Sequence, residues 1–498
     1  MILRRDILII LQTIKCGVST LITDNKKMKI NLLIAFFAIL EIVFTCTFRA
    51  SGQSISSGGY HSLFLCSNNN SMACGYNYSG QLGNGMPDNS LHSTPAQIIS
   101  LNGITAIAAG DSHSLFLKND STVWACGIND LGQLGDGTNT DKYTPIQMSS
   151  LNRIISISTS YKHSLFLKND STVWACGDNQ YGELGIGTSN NSYPTPLQVN
   201  SLNNTIAISA GWYHSLFLKN DSTVWACGSN QFGQLGDGTI VPHYTPVQIS
   251  SLSGIVAIAA GNRHSLFLKS DGTIWACGYN QSGQLGNGIA DMNPHSTPIN
   301  VTSLTGIITI AAGYNYSLFL KNDSTVWASG YNYYGELGDG TTTDRWTPVL
   351  ASSLTGVKTI AAGLLHSLFQ KNDNTVWACG LNNHGQLGDG TTSDRLLPVQ
   401  VTDLCNITTA VAEESSGENN ISVYPNPFST QTVFQINNCL HNATLTVDNC
   451  FGQTVKEIRN ISGQTITLQR DNLPSGLYFT RLTQDNKVIS KDKFVIAD

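Results

Sequence analysis

The sequence predicts an all-β protein, a seven-bladed β-propeller followed by a small β-sandwich domain. Three observations carry that expectation. The segment His-Ser-Leu-Phe begins at His61, His113, His163, His214, His264 and His366, with Tyr316 opening the remaining copy, at intervals of 52, 50, 51, 50, 52 and 50 residues. A period near 50 residues with strand patterning inside it marks a propeller, in which one unit makes one blade and no blade buries its faces alone. Glycine is abundant, 46 residues against 14 prolines and without a collagen period, so the chain is dense in turns. Past residue 420, short apolar runs alternate with turn residues, as in a small sandwich. At 498 residues the chain exceeds one ordinary compact domain, and 41% hydrophobic content excludes intrinsic disorder. A formal charge of −6 argues against a nucleic-acid partner, which calls for a basic stripe.

Residues 30–48 form the only long apolar run, with Lys26, Lys27 and Lys29 before it and Ala50-Ser51-Gly52 after it. That order of charged, apolar and small residues is a signal peptide over 28–52, cleaved after Gly52. The run also has the length to stay in a bilayer as an anchor, against which Asn31 and Glu41 count. Residues 1–27 have no role in such a signal and read as an upstream extension from a misplaced start, Met28 being the natural one. Without residues 1–52 the chain keeps 20 basic and 30 acidic side chains, a net charge near −10.

The propeller is expected over 53–412, with units starting near 55, 107, 157, 208, 258, 310 and 360. In each unit a strand of small residues, such as Ile107-Ala-Ala-Gly110, suits the crowded axis. His113-Ser-Leu-Phe-Leu117 is the second strand and Thr122-Val-Trp-Ala-Cys126 the third. Lys-Asn-Asp-Ser joins them, because Asn and Asp tolerate the positive φ of a tight hairpin. A bend, Gly132-Gln-Leu-Gly-Asp-Gly137, leads to a fourth strand after Thr144-Pro145, where an outer edge accepts proline. Both Ile55-Ser-Ser-Gly58 and 406–412 align with the inner strand, one too many. Residues 407–412 therefore either close the ring by pairing in the first blade or lie outside it.

Twelve cysteines in an exported chain raise the question of disulfides. Cys74, Cys126, Cys176, Cys227, Cys277 and Cys379 recur at one position of the repeat, filled by Ser329 in the remaining unit. Equivalent positions lie a whole repeat apart and cannot pair, so these are expected as small buried side chains. Cys439 and Cys450 form a candidate pair near the C-terminus.

The repeated Ala-Gly-x-x-His-Ser-Leu, Val-Trp-Ala-Cys-Gly-x-Asn-x-x-Gly-Gln-Leu-Gly and Thr-Pro elements resemble the repeats of the regulator of chromosome condensation family, known as seven-bladed propellers. The resemblance covers all seven units. Departures are Cys before Gly-x-Asn where that family has an aromatic, Met72 for Trp, and Glu183 and Glu336 for Gln. The family's nuclear exchange activity on a small GTPase is not carried over. No unit has a long insertion to act as a wedge, no basic tail is present, and export removes the chain from any GTPase partner.

Antiparallel connectivity puts the first-to-second and third-to-fourth strand loops on one face, where the units disagree. The doublets before His are Gly59-Tyr60, Asp111-Ser112, Tyr161-Lys162, Trp212-Tyr213, Asn262-Arg263, Tyr314-Asn315 and Leu364-Leu365. Five variable positions per unit give 35 sites, of which 13 are aromatic against 8% for the chain, so this face is the expected binding surface. The residues expected to contact a glycan or a peptide or protein ligand are Tyr60, Tyr161, Trp212, Tyr213, Arg263 and Tyr314 in the doublets, and Tyr76, Tyr279, Tyr331 and Tyr333 in the other loop. The aromatics before the bend, Tyr181, Phe232 and Tyr334, are expected to pack between blades. The sequence names no catalytic residue, since a His-Ser pair in every blade is a structural motif and a triad would appear once. No cofactor or metal is expected, because Asp136-Gly-Thr-Asn-Thr-Asp141 lacks the spacing and terminal Glu of a calcium loop.

A polar linker, 413–420, precedes the last domain. Apolar runs at 431–436, 443–448, 464–468, 477–482 and 487–496 describe its strands. Tyr424-Pro-Asn-Pro-Phe428, Leu473-Pro-Ser-Gly-Leu-Tyr478 and Lys493-Phe-Val-Ile496 resemble the type A sorting domain of the type IX secretion system, over nearly all of 421–498. That resemblance implies the type IX machinery as a partner, passage from the periplasm across the outer membrane, and a secreted or surface protein. The expected function is an exported binding propeller, with an extracellular enzyme or accessory module on a polymeric substrate as the alternative.

Overall fold

The computed structural model describes residues 54–98 and 101–405 in one unit, and 421–496 apart from 425, 427, 450–452 and 486 in a separate C-terminal unit. The expected upstream extension (1–27), signal peptide (28–52), closing segment (407–412) and linker (413–420) lie outside the described residues, as does Cys450 with its candidate pairing.

Described secondary structure is entirely β. The first blade is β1 (Ile55–Ser57), β2 (His61–Leu65), β3 (Ser71–Gly75) and β4 (Ala96–Gln97), antiparallel and in that order. The six following blades repeat it, each from one contiguous stretch, so among the described residues no sheet of the ring takes a strand from another unit. The hairpin between second and third strands forms as its residues dictate. Ser121 takes φ 65°, and Asp120 Oδ1 accepts both the Thr122 N–H at 3.0 Å and its hydroxyl at 2.6 Å. At the far end of the third strand only glycine serves: Gly127 has φ 110°, and a Cβ there would lie 2.5 Å from the Ser112 carbonyl oxygen.

Strand alternation builds the core. In the second blade Leu115 and Leu117 point toward the third blade and pack with its Phe166 and Cys176, while Phe116 and Cys126 point back among Leu63, Ala73 and Leu82 of the first. Seven such layers lie between the seven neighbouring pairs, including Leu368, Val376 and Ala378 of the last blade against Phe64, Met72 and Cys74 of the first. Each buried Phe stabilises the ring by about 2 to 3 kcal/mol. The recurrent cysteines are buried thiols without disulfides, each seated beneath a bend glycine of the preceding blade; a Cβ on Gly83 would lie 3.1 Å from Cys126 Sγ. Burial pushes their titration well above the ordinary thiol range.

The same alternation explains His-Ser. His Nε2 of one blade meets Ser Oγ of the next: His61 with Ser114 at 2.9 Å, His163 with Ser215 at 2.9 Å, His214 with Ser265 at 2.9 Å, and so round to His366 with Ser62 at 2.9 Å. Each Ser hydroxyl donates to a backbone carbonyl of the preceding blade, as Ser114 does to Gln81 at 2.7 Å. Its proton is thereby committed, so Oγ accepts from His and the imidazole carries its proton on Nε2. Burial holds these imidazoles neutral, with pKa lowered to about 3. In the sixth blade Tyr316 substitutes, its hydroxyl donating to the His366 carbonyl at 2.6 Å and accepting from the Gly363 N–H at 3.1 Å. A methyl on Gly110 would lie 2.5 Å from the His113 ring, and a glycine precedes the doublet in six blades, with Ser160 in the third.

The first blade departs from the others in two coupled places. In blades two to seven a lysine ammonium lies over the third-strand Trp, Lys118 over Trp124 at 5.4 Å being one case. The first blade has Cys66 in place of that lysine and Met72 in place of that Trp. Cys66 forms a disulfide with Cys405, beyond the last strand of the seventh blade, with Cα atoms 5.4 Å apart, and the Cys405 N–H points at Met72 Sδ, 3.1 Å away. The seam between first and last blades is thus covalent. The sequence reading did not assign this pair.

In the C-terminal unit the expected runs 431–436 and 443–448 join into one long strand, Gln431–Asn449, that pairs along both halves with Thr454–Gln469. The five strands make one sheet, curled around a core that includes Phe434, Leu445, Tyr478 and Phe494.

Candidate functional site

The variable face rests on two sets of backbone hydrogen bonds. In six blades the first residue of a doublet donates to the next blade: Gly59 N–H to the Gly110 carbonyl at 3.0 Å, Asp111 to Ser160 at 2.7 Å, Trp212 to Gly261 at 3.2 Å, Asn262 to Gly313 at 3.3 Å, Tyr314 to Gly363 at 3.2 Å, Leu364 to Gly58 at 3.0 Å. The second residue's carbonyl accepts from the loop after the third strand of its own blade, in all seven blades, as Tyr213 does from Ser229 at 2.8 Å. A buried Asn then organises that loop. Asn129 Oδ1 accepts the Leu134 N–H at 2.9 Å while its amide donates to Asp136 and the Thr138 carbonyl. Variable side chains therefore sit on an invariant frame.

Around the axis the inner strands enclose a channel of about 930 Å³, lined by their Ala, Ser, Thr, Gly and Ile residues with Trp212, Tyr314, Leu364 and Asp111 at its variable-face mouth. The ten residues expected to bind fall into four groups. Tyr161 stacks on Trp212 with centroids 4.5 Å apart and planes 11° apart, and Tyr314 and Tyr213 meet Trp212 edge-on at 4.8 and 6.1 Å. Tyr60 and Tyr76 enclose His384 of the seventh blade at 5.4 and 4.6 Å. Tyr279 and the Arg263 guanidinium both pack on Phe232, at 4.8 Å each. Tyr331 stacks beside Tyr333, which meets Tyr334 at 4.9 Å. Nine of the ten are half-buried, and only Tyr333 is well exposed, at 64%. Most rings are thus partly occupied by one another, and the surface is a set of rigid aromatic ridges. Tyr181 and Phe232 pack between blades as expected, against Tyr213 and Arg263.

Burial raises the Tyr213 and Tyr331 phenols to about 12, and burial followed by the Asp111 charge raises Tyr60, so all three act as neutral donors. Glu183 and Glu336 occupy the Gln position of the bend, fully buried. One oxygen accepts the Tyr181 or Tyr334 N–H at 2.7 or 3.0 Å, as Gln133 does from Leu131 at 3.0 Å, and Oε1 has no partner. Burial raises both carboxyls to about 8, so each mimics the neutral Gln it replaces. In the segment 136–141, Asp136 is taken by Lys142 at 3.1 Å and by Thr138, and Asp141 by the Asn129 N–H at 2.8 Å. These carboxylates close a loop.

Sequence reasoning missed Asp111 as part of the mouth. It stands at the doublet position of Trp212, which was the available signal.

Seven contiguous four-stranded blades, stapled by His-Ser bonds and carrying one constant and one variable face, define a closed repeat propeller. The chain belongs to the RCC1-like domain family, whose model matches residues 38–356, and regulator of chromosome condensation (RCC1) repeats match 357–386 and 373–413. Residues 422–497 match the secretion system C-terminal sorting domain, so the protein is an exported one. Among curated human relatives, probable E3 ubiquitin-protein ligase HERC6 is 35% identical over 189 residues, 38% of this chain and 14% of that one. Probable E3 ubiquitin-protein ligase HERC4 is 43% identical over 173 residues, 34% and 16%. The matched region thus spans about one-sixth or less of these relatives. Human WBSCR16 superposes with TM-score 0.60 at 24% identity, covering 66% of this chain and 92% of that one. Yeast RCC1 (Prp20), in a structure with Kap60, gives 0.62 at 22%, covering 75% and 88%. At these identities the likeness is one of fold.

Proposed function

We propose that this protein is an exported binding propeller, displayed on the cell surface or released, that recognises a glycan or a peptide ligand through its variable aromatic face. The sorting domain engages the type IX machinery and carries the propeller from the periplasm across the outer membrane. The observation that supports the reading best is the frame of backbone bonds that holds unlike aromatic side chains around one channel mouth. Rigid aromatics on a fixed scaffold contribute contact area at small entropic cost. His-Ser pairs, the nearest thing to catalytic chemistry, are committed between blades.

The test is a glycan and peptide array probed with the secreted protein and with a Trp212→Ala, Tyr213→Ala double variant. Ligands captured by the wild type should be lost by the variant while thermal unfolding changes little. Undiminished capture by the variant refutes the assignment.

A further inference from the structure

We propose that the channel mouth on the variable face binds a cation at Asp111, the guanidinium or ammonium group of a basic side chain in an extracellular peptide. This rests on the reading of that face as the binding face and narrows its ligand class.

Among the described residues two charged side chains line the channel. Lys358, at the hairpin end, donates to Asn374 Oδ1 at 2.5 Å. Asp111, at the variable-face mouth, receives the Ser112 hydroxyl on Oδ2 at 3.1 Å and has no ion-pair partner among the described residues. Lys162, whose charge reaches Asp111 through space, is itself held by Asp130 at 2.9 Å. Asp111 is therefore a partly desolvated carboxylate with acceptor capacity to spare, a costly state unless a ligand supplies the counter-charge.

The carboxylate also stands among aromatic rings. Trp212 and Tyr314 line the same mouth with ring centroids 4.8 Å apart, and the Asp111 charge reaches the Tyr60 phenol. Acceptors set among aromatic rings complement a cation, through charge-assisted hydrogen bonds and the ring quadrupoles. The channel behind them, about 930 Å³ and walled by Ala, Ser, Thr, Gly and Ile of the inner strands, leaves room for a long unbranched side chain.

Fluorescence polarisation of the secreted protein would use nonapeptide libraries, random except for a central Arg, Lys, citrulline or Glu. Wild type should prefer Arg and Lys over citrulline, the uncharged isostere, by about tenfold or more, and Asp111→Asn should abolish that preference. Asp111→Asn keeps the shape of the side chain, and a thermal melt confirms its folding. Equal binding of Arg and citrulline, an Arg preference that survives Asp111→Asn, or no binding of basic peptides would each overturn the proposal. Capture of a neutral glycan that is lost in Trp212→Ala but kept in Asp111→Asn overturns the cation and leaves the binding face standing. Ligand binding that neither variant alters removes both.

Discussion

Removing the Cys66–Cys405 disulfide is the sharpest perturbation of the ring. The bond spans 339 residues, nearly the whole propeller. In the chain-entropy model a loop of that length restricts the unfolded state by about 6 kcal/mol, against the 2 to 5 kcal/mol found for native disulfides in small domains. Either figure is a large part of a stability of about 5 to 15 kcal/mol. The seam also keeps non-covalent ties, among them the apolar layer of Phe64 and Leu368 and the His366–Ser62 bond at 2.9 Å. A Cys66→Ala, Cys405→Ala variant should therefore fold, lose about 3 to 6 kcal/mol in urea unfolding, and exchange amide hydrogens faster in the first and seventh blades than elsewhere. Reduction of the wild type should reproduce both effects. A loss under about 1 kcal/mol, with no excess exchange at the seam, would refute the view that the disulfide closes the ring.

Two further perturbations test the stapling and the buried acids. His214→Ala removes the N–H that Ser265 Oγ accepts and leaves a cavity, at a cost of about 2 to 4 kcal/mol at pH 7 by thermal unfolding. The His214 pKa falls from 6.5 to about 3 on folding, so its stabilisation is complete above pH 6.5 and is lost as pH falls through 3. The deficit of the variant should accordingly shrink on acidification, and a constant deficit from pH 7 to pH 4 contradicts the neutral buried imidazole. Glu183 moves the other way, from 4.5 to about 8. The unfolded chain gains from ionising above pH 4.5, so wild-type stability falls as pH rises through 8. Glu183→Gln should change nothing at pH 4 and stabilise by about 3 to 5 kcal/mol at pH 8, and equal effects at both pH values would contradict the raised pKa.

The sequence by itself determined the architecture, because a period near 50 residues and alternation within each strand are local signals repeated seven times. Leu115 inward, Asn-Asp at the hairpin and glycine before His-Ser each follow from side-chain chemistry within one unit. It also located the variable face, since connectivity alone decides which loops share a side. Tertiary structure decided what depends on neighbours from distant units. His214 finds Ser265 only when two blades stack, and that contact turns an apparent catalytic pair into a staple. Met72 and Cys66 were visible as departures from the repeat, but their meaning required Cys405, brought round the whole ring. The expected binding residues separated into four packed groups, because ring-to-ring distances between blades are set by radius and tilt, which no single unit encodes. Asp111, Trp212 and Tyr314 became parts of one mouth for the same reason: residues of three separate blades line it only where the circle closes on its axis.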